Sequence, residues 1–110
     1  MKFTRVKIFT TVPSEYAAKV RQALGNAGAG EIGEYTFCSF SVAGTGRFIP
    51  SDKANSHIGK PGSLAEVKEE KIEVVCQRSQ AKQIIAALKA AHPYEEVAMD
   101  IHPLITESEL

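Results

Sequence analysis

A glycine pattern between a helix-like and a strand-like segment is the feature that most constrains the fold. Residues 28–33 read Gly-Ala-Gly-Glu-Ile-Gly, which matches the G-x-G-x-x-G pattern of dinucleotide-binding proteins. A dinucleotide site needs these glycines between a strand and the helix whose N-terminus receives the pyrophosphate. Here they follow an alanine-rich segment, residues 16–27, and precede the strand-like residues 35–40. This order excludes a Rossmann site and predicts a turn in which glycines end a helix and lead into a strand.

The two halves of the chain have similar patterns. When Lys7 is laid on Lys71, each half reads as an alternating strand followed by a helix with an apolar stripe. A further strand follows each helix, at roughly residues 34–42 and 97–102. The order βαββαβ predicts an α+β fold, a ferredoxin-like sandwich, in a single domain over residues 1–110.

Charge and composition exclude several classes of partner. Thirteen basic and thirteen acidic residues cancel, so no net field favours nucleic acid or an anionic membrane. No apolar run is long enough for a signal peptide or a membrane span. We expect Cys38 and Cys76 to be buried in strands as reduced thiols, which predicts a cytoplasmic protein without a disulfide.

Large apolar side chains occur on both faces of the predicted strands. Ile8 and Phe9 are neighbours in the first strand, and Val74 and Val75 are neighbours in the third. Neighbouring side chains point to opposite faces, whereas two helices cover only one face of the sheet. The second face then needs a partner, which predicts self-association. Scattered exposed apolar residues are the alternative.

A long connection without obvious secondary structure follows the second strand, over residues 44–63. Such loops in compact domains are usually functional or disordered. Its glycines expose backbone N–H groups, its arginine supplies positive charge and its phenylalanine offers a flat apolar surface, a combination that suits anions or nucleotides. The predicted ligand-binding residues are Tyr35, Gly44, Gly46, Arg47 and Phe48. A hairpin extension that packs on a neighbouring subunit is an equal alternative.

The densest cluster of titratable groups is His-Pro-Tyr-Glu-Glu at residues 92–96. Imidazole and carboxylate groups bind divalent metals, so His92, Glu95 and Glu96 are the predicted metal ligands. In the structural alternative, Pro93 stops the helix and His92 interacts with its negative end. The cofactor is otherwise unidentified, and no catalytic residue is predicted.

Several motifs together resemble one family. The chain is similar to the PII/CutA-like domain that is inserted in YqfO-type (Nif-three-like) proteins, and the resemblance rests on residues 28–35, 38–40, 44–50, 58–59, 66–73 and 92–96. It implies a ferredoxin-like fold, with a long loop between the second and third strands, that forms trimers. The larger proteins carry a dinuclear metal site in domains that flank the insert, so the hydrolase activity inferred for them does not extend to these residues.

The resemblance implies a stand-alone, non-catalytic trimeric sensor or regulatory module that binds a small ligand or a divalent metal. PII-type proteins bind nucleotides in clefts between subunits, at the base of the loop between the second and third strands. The alternative is a small enzyme at the same cleft, built from His92, Glu95, Glu96 and Tyr35. The sensor is favoured because the sequence contains no complete catalytic constellation.

Overall fold

The computed structural model describes residues 2–110, whose backbone forms one antiparallel sheet and two helices. The elements in chain order are β1 Arg5–Pro13, α1 Ala17–Asn26, β2 Phe40–Phe48, β3 Ala65–Gln77, α2 Ala81–Ala91 and β4 Met99–Leu104. Short 3-10 turns lead into both helices. This order confirms the predicted α+β, ferredoxin-like βαββαβ fold. No helix among the described residues is long and apolar enough to cross a bilayer.

The sheet has the strand order β2-β3-β1-β4, with every neighbouring pair antiparallel. Ile8 in the central strand β1 is opposite Val74 in β3 and Ile101 in β4. On the other side of β3, Gly44 of β2 is opposite Glu69. The two edges of the sheet are therefore β2 and β4, and Glu69 lies in β3 between Gly44 of β2 and Pro13 of β1.

The core lies between the sheet and the two helices. Every second residue of β1 is buried, which is the alternation expected of a strand with one covered face. The helices contribute apolar stripes at helical spacing. The buried apolar side chains include Val6, Ile8 and Val12 of β1, Ile72, Val74 and Cys76 of β3, Val20 and Leu24 of α1, and Ile84 and Leu88 of α2. Each large one stabilises the fold by about 1.5–3 kcal/mol.

The glycine pattern forms the predicted turn after α1. The backbone N–H groups of Gly28 and Ala29 donate to carbonyls of the last turn of the helix, at 3.0 Å each. Gly28 and Gly30 have φ values of 106° and 84°, which glycine adopts without strain. Gly30 N then donates to the carbonyl of Val75 in β3 at 2.8 Å, which attaches the turn to the sheet.

The predicted second strand was misplaced. The sequence indicated residues 34–42, whereas β2 spans Phe40–Phe48. Phe37 has a positive φ of 58°, which turns the chain out of an extended path. Its ring packs against Gly25 and occupies the space that a Cβ atom on that residue would need. Residues 44–48 therefore belong to a strand, and the long β2–β3 connection is residues 49–64.

The two cysteines differ in environment. Both are free thiols. Cys76 is buried in β3 as predicted, and burial raises its pKa. The prediction for Cys38 was wrong: this residue lies before β2 and is half-buried, because residues 31–37 form an exposed loop that ends where Cys38 N donates to Gly30 O at 2.9 Å.

Exposed apolar groups lie on the second face of the sheet, as predicted: Phe40 is opposite Glu73 and Val42 is opposite Lys71, on the same side as Phe9. On that face, Phe9 is half-buried, with the His102 ring 4.8 Å away and the Lys71 ammonium 4.5 Å from its ring centroid. Polar groups thus cover part of Phe9, whereas Phe40 and Val42 of the edge strand are exposed. The exposed apolar residues near β2 and β4 are Ile32, Tyr35, Phe37, Phe40 and Val42, and Ile101 and Ile105.

Candidate functional site

A groove with a volume of about 790 Å³ lies along β2, its connection to β3, and the segment after α2. Its lining comprises residues 42–51, Ala54, residues 56–58, Thr11, Glu69, Lys71, residues 94–96 and Ala98. The hairpin supplies the longest wall, and the chain that follows α2 supplies the facing wall. A groove of this size accommodates a small molecule.

Alternation along β2 explains why the groove is open beside this strand. Gly44, Gly46 and Phe48 share one side of β2, because strand side chains alternate with a period of two. Glu69 of β3 is opposite Gly44. A Cβ on Gly46 would collide with the Glu69 carboxylate, whereas a Cβ on Gly44 would meet nothing within 4 Å. Gly46 is therefore the residue that makes room for the Glu69 side chain.

Glu69 is a buried carboxylate in the floor of the groove, only 7% exposed. Its Oε2 accepts a hydrogen bond from the Tyr94 hydroxyl at 3.0 Å. Burial raises the pKa of Tyr94, and the hydrogen bond and negative charge of Glu69 raise it further. The phenol therefore stays protonated near neutral pH and acts as a donor to the carboxylate.

An aromatic cluster forms the wall beside this pair. The ring of Phe48 packs edge-on against Tyr94, with centroids 5.7 Å apart. His57 lies 6.4 Å from Tyr94 and 5.5 Å from Tyr16, which extends the cluster toward the start of α1. Such edge-on pairs stabilise their own arrangement and present apolar ring surface to the groove.

His92 lies behind the groove and supports Tyr94. It is 6% exposed and does not line the groove. Its Nδ1 accepts a hydrogen bond from Tyr94 N at 3.1 Å, so Nε2 carries the ring proton and donates to Thr11 O at 2.7 Å. Both ring nitrogens are thus engaged by backbone groups of this chain.

The two neighbouring carboxylates, Glu95 and Glu96, are exposed and line the groove. Glu95 Oε1 accepts a hydrogen bond from Asn55 N at 2.8 Å, which links the β2–β3 connection to the segment after α2. Within residues 2–110, no group of three His, Cys, Asp or Glu side chains is arranged to hold a metal ion. A metal site at His92, Glu95 and Glu96 stays a prediction, and it would require His92 to leave its two hydrogen bonds.

The structure brings together four of the five predicted ligand-binding residues. Gly44, Gly46, Arg47 and Phe48 all line the groove. Tyr35 does not: it is 73% exposed in the loop of residues 31–37.

Sequence reasoning missed Glu69. The only sequence signal for Glu69 is a carboxylate within a strand opposite a Gly-x-Gly segment. That signal can be recognised only when the register of β2 and β3 is known.

Solved structures define the class of fold. CutA1 from Shewanella sp. SIB1 is similar with a TM-score of 0.71 and 19% identity, over 96% of this chain and 86% of that one. The periplasmic divalent cation tolerance protein CutA from Archaeoglobus fulgidus has a TM-score of 0.67 and 19% identity, over 91% and 83%. The chain therefore has a CutA/PII-like fold.

Sequence relatives make the resemblance more specific. The GTP cyclohydrolase 1 type 2 homolog of Halalkalibacterium halodurans is 46% identical over 103 residues, 94% of this chain and 28% of the relative. The Bacillus subtilis protein of the same name is 51% identical over 98 residues, 89% and 26%. A Bacillus cereus protein related to NIF3 has a TM-score of 0.82 and 42% identity, over 94% and 26%. No family model matches the chain.

These matches confirm that the chain resembles one domain of longer proteins of the NIF3/YqfO type. The chain spans 28% of the length of the first relative and 26% of the second. The names of those proteins therefore belong to longer molecules, and this chain matches only one part of each.

Proposed function

We propose that this chain is a non-catalytic sensor or regulatory module of the PII/CutA type that binds a small ligand in the groove beside β2. The observation that carries the proposal is the convergence of Gly44, Gly46, Arg47 and Phe48 with the buried Glu69 around about 790 Å³ of open volume. Pockets of this size on a rigid sheet with a few convergent polar groups are typical ligand sites.

The environments of the reactive groups favour binding over catalysis. Cys76 is a buried thiol with a raised pKa, and Cys38 lies outside the groove. Tyr94 is held protonated beside Glu69, and both nitrogens of His92 are hydrogen-bonded to the backbone. The alternative enzyme would also need Tyr35, which lies outside the groove of its own protomer.

A divalent metal stays among the candidate ligands. Glu95 and Glu96 present carboxylates at the groove, and carboxylate oxygens suit hard cations. The A. fulgidus CutA is named for divalent cation tolerance, which is a property of that protein and a reason to include metals in any screen.

We also propose that the module assembles as a homotrimer. β2 and β4 are the two sheet edges, and exposed apolar residues accompany both. A contact between the β2 edge of one protomer and the β4 edge of the next is heterologous, and a rotation of one third of a turn per contact would close it into a ring of three. Light scattering at micromolar concentration should give about three times the 11.9 kDa chain mass. A monomer under these conditions would contradict the trimer.

A ligand screen tests the binding function. Nucleotides, divalent metals and small organic cations, anions and neutral compounds are added separately, and melting temperature and amide NMR shifts are recorded. At least one class should raise the melting temperature and shift the amides of residues 44–48.

A Phe48→Ala variant should lose this response, whereas Phe40→Ala, on the same strand outside the groove, should keep it. Light scattering on both variants checks that assembly is unchanged. Absence of any response at residues 44–48 across all classes would contradict the proposed function.

A further inference from the structure

Glu69 is a buried carboxylate without a cationic partner. Among residues 2–110, the ion pairs are Lys7–Glu73, Arg21–Glu70 and Arg47–Glu66. Of the two carboxylate oxygens of Glu69, Oε2 accepts the hydrogen bond from the Tyr94 hydroxyl. The other oxygen, Oε1, lies beside Gly46. A buried carboxylate is costly unless a positive charge or several donors compensate it. A positively charged group in the groove would therefore interact favourably with the Glu69 carboxylate.

The cations that line the groove are already engaged elsewhere. The Arg47 guanidinium lies 3.6 Å from the carboxylate of Glu66. The Lys71 ammonium lies over the ring of Phe9, 4.5 Å from its centroid. Neither of these two cations therefore pairs with Glu69, whose carboxylate is free to receive a cation from a ligand.

The groove also selects the kind of cation. A metal ion needs several ligands, and no suitable group of three surrounds any point among the described residues. An ammonium or amidinium needs one carboxylate, and it gains further from the faces of aromatic rings. Phe48 and Tyr94 supply such rings beside Glu69. Exposed Glu95 at the groove adds negative potential that attracts cations.

We propose that the groove binds a small molecule carrying a protonated amine or amidine on a flat apolar body. The cationic nitrogen pairs with Oε1 of Glu69, and the body lies against Phe48 and Tyr94. This inference rests on the proposed function, because it names the ligand class of the same groove.

Three matched probes test the charge preference on the intact wild-type protein. The probes are 2-phenylethylamine, 2-phenylethanol and 3-phenylpropanoate, which differ mainly in the charge at the end of a similar body. Each is titrated into ¹⁵N-labelled protein while the amides of residues 44–48 and 94 are followed. The amine should bind at least about tenfold more tightly than the alcohol, and the carboxylate should bind most weakly.

Two variants test the role of the carboxylate. Glu69→Gln keeps the shape and removes the charge, so it should weaken amine binding at least about tenfold. Glu73→Gln is the matched control, since Glu73 lies on the same strand, pairs with Lys7 and does not line the groove. It should leave amine binding unchanged. If Glu69→Gln does not fold, the probe comparison on the wild-type protein decides alone.

The outcomes separate this inference from the proposed function. Tighter or equal binding of the alcohol or the carboxylate in the groove overturns the cation preference and leaves the binding function intact. Wild-type amine affinity in folded Glu69→Gln also overturns it. If the amine does not bind, the inference fails, and if nucleotides, metals and the other probes also leave residues 44–48 unperturbed, the proposed function fails with it.

Discussion

Gly44 and Gly46 lie on the same side of β2 and differ in what surrounds them. The space beside Gly44 is open, whereas the space beside Gly46 contains the Glu69 carboxylate. The sequence placed both in a long connection without secondary structure. In the strand, only Gly46 has a steric role, because Glu69 occupies the volume that a side chain would fill.

Replacing Gly46 by alanine should therefore destabilise the protein by about 1–3 kcal/mol, the usual cost of overpacking. Gly44→Ala is the matched control, and it should leave stability unchanged or raise it slightly because alanine restricts the unfolded chain. Urea unfolding of the two variants measures the difference. Equal free energies of unfolding would show that Glu69 moves aside without cost.

His92→Ala separates a structural role from a metal-binding role. The variant loses the hydrogen bonds to Thr11 and Tyr94, and each contributes about 1 kcal/mol. We expect a lower melting temperature and unchanged affinity for zinc in a calorimetric titration. Glu96→Ala, at an exposed position, should keep the wild-type melting temperature. Weaker zinc binding by a His92→Ala protein of normal stability would support the predicted metal site instead.

Tyr94 makes the free energy of unfolding depend on pH in the alkaline range. Its folded pKa is raised above the ordinary value of 10.0, so the unfolded chain ionises first. The contribution is complete below pH 10.0 and is lost as the pH rises through the higher folded pKa. Urea unfolding at about pH 8 and about pH 11 should show a loss of stability that is smaller in Tyr94→Phe. Some loss of stability should remain in Tyr94→Phe, because the pKa of the Cys76 thiol is also raised in the folded protein. An identical loss in both proteins would contradict the buried phenol.

At the scale of elements, the patterns that predicted the fold are those in which local sequence and burial agree. β1 alternates buried and half-buried residues, and α2 carries an apolar stripe, so periodicity located both. β2 was misplaced because residues 35–40 are strand-like in composition, whereas glycines occupy its true interior. At position 46, glycine fits because the Glu69 carboxylate fills the space that a side chain would occupy. This contact joins residues that are distant in the sequence. Likewise, Glu69 and Tyr94 meet through tertiary packing that no local pattern encodes.

Hydrogen exchange distinguishes β2 from the connection that follows it. The sequence indicated a long connection without secondary structure from Gly44 onward, and the amides of such a connection are expected to exchange fast. Because β2 pairs with β3 over Phe40–Phe48, its ladder amides should exchange more slowly than those of residues 49–64. Within the connection, Gly62 should be protected, since its N–H donates to Pro50 O at 2.8 Å. The amides of β1 serve as the protected reference. Uniformly fast exchange from residue 44 to residue 62 would restore the original prediction.

At the scale of the whole molecule, the two sheet edges determine how copies can associate. A lysine on one edge should prevent the proposed ring, because a charge buried at an apolar contact is costly. Ile101→Lys on β4 should therefore lower the mass measured by light scattering to that of a monomer. Leu64→Lys, at an exposed position before β3, is the control and should keep the oligomeric mass. An oligomer that survives Ile101→Lys would place the interface elsewhere.

The loop of residues 31–37 begins and ends at one point of the sheet. Cys38 N donates to Gly30 O at 2.9 Å, and Gly30 N is held by Val75 of β3. The entry and exit of the loop are thus clamped together before β2 starts. Within the loop, Ile32 and Tyr35 exchange two backbone hydrogen bonds of 2.9 Å, so extra residues introduced between Gly33 and Glu34 would extend outward from the tip of the turn. None of residues 31–37 lines the groove, so a reporter peptide or a fluorescent label grafted at this tip would leave the groove lining unchanged.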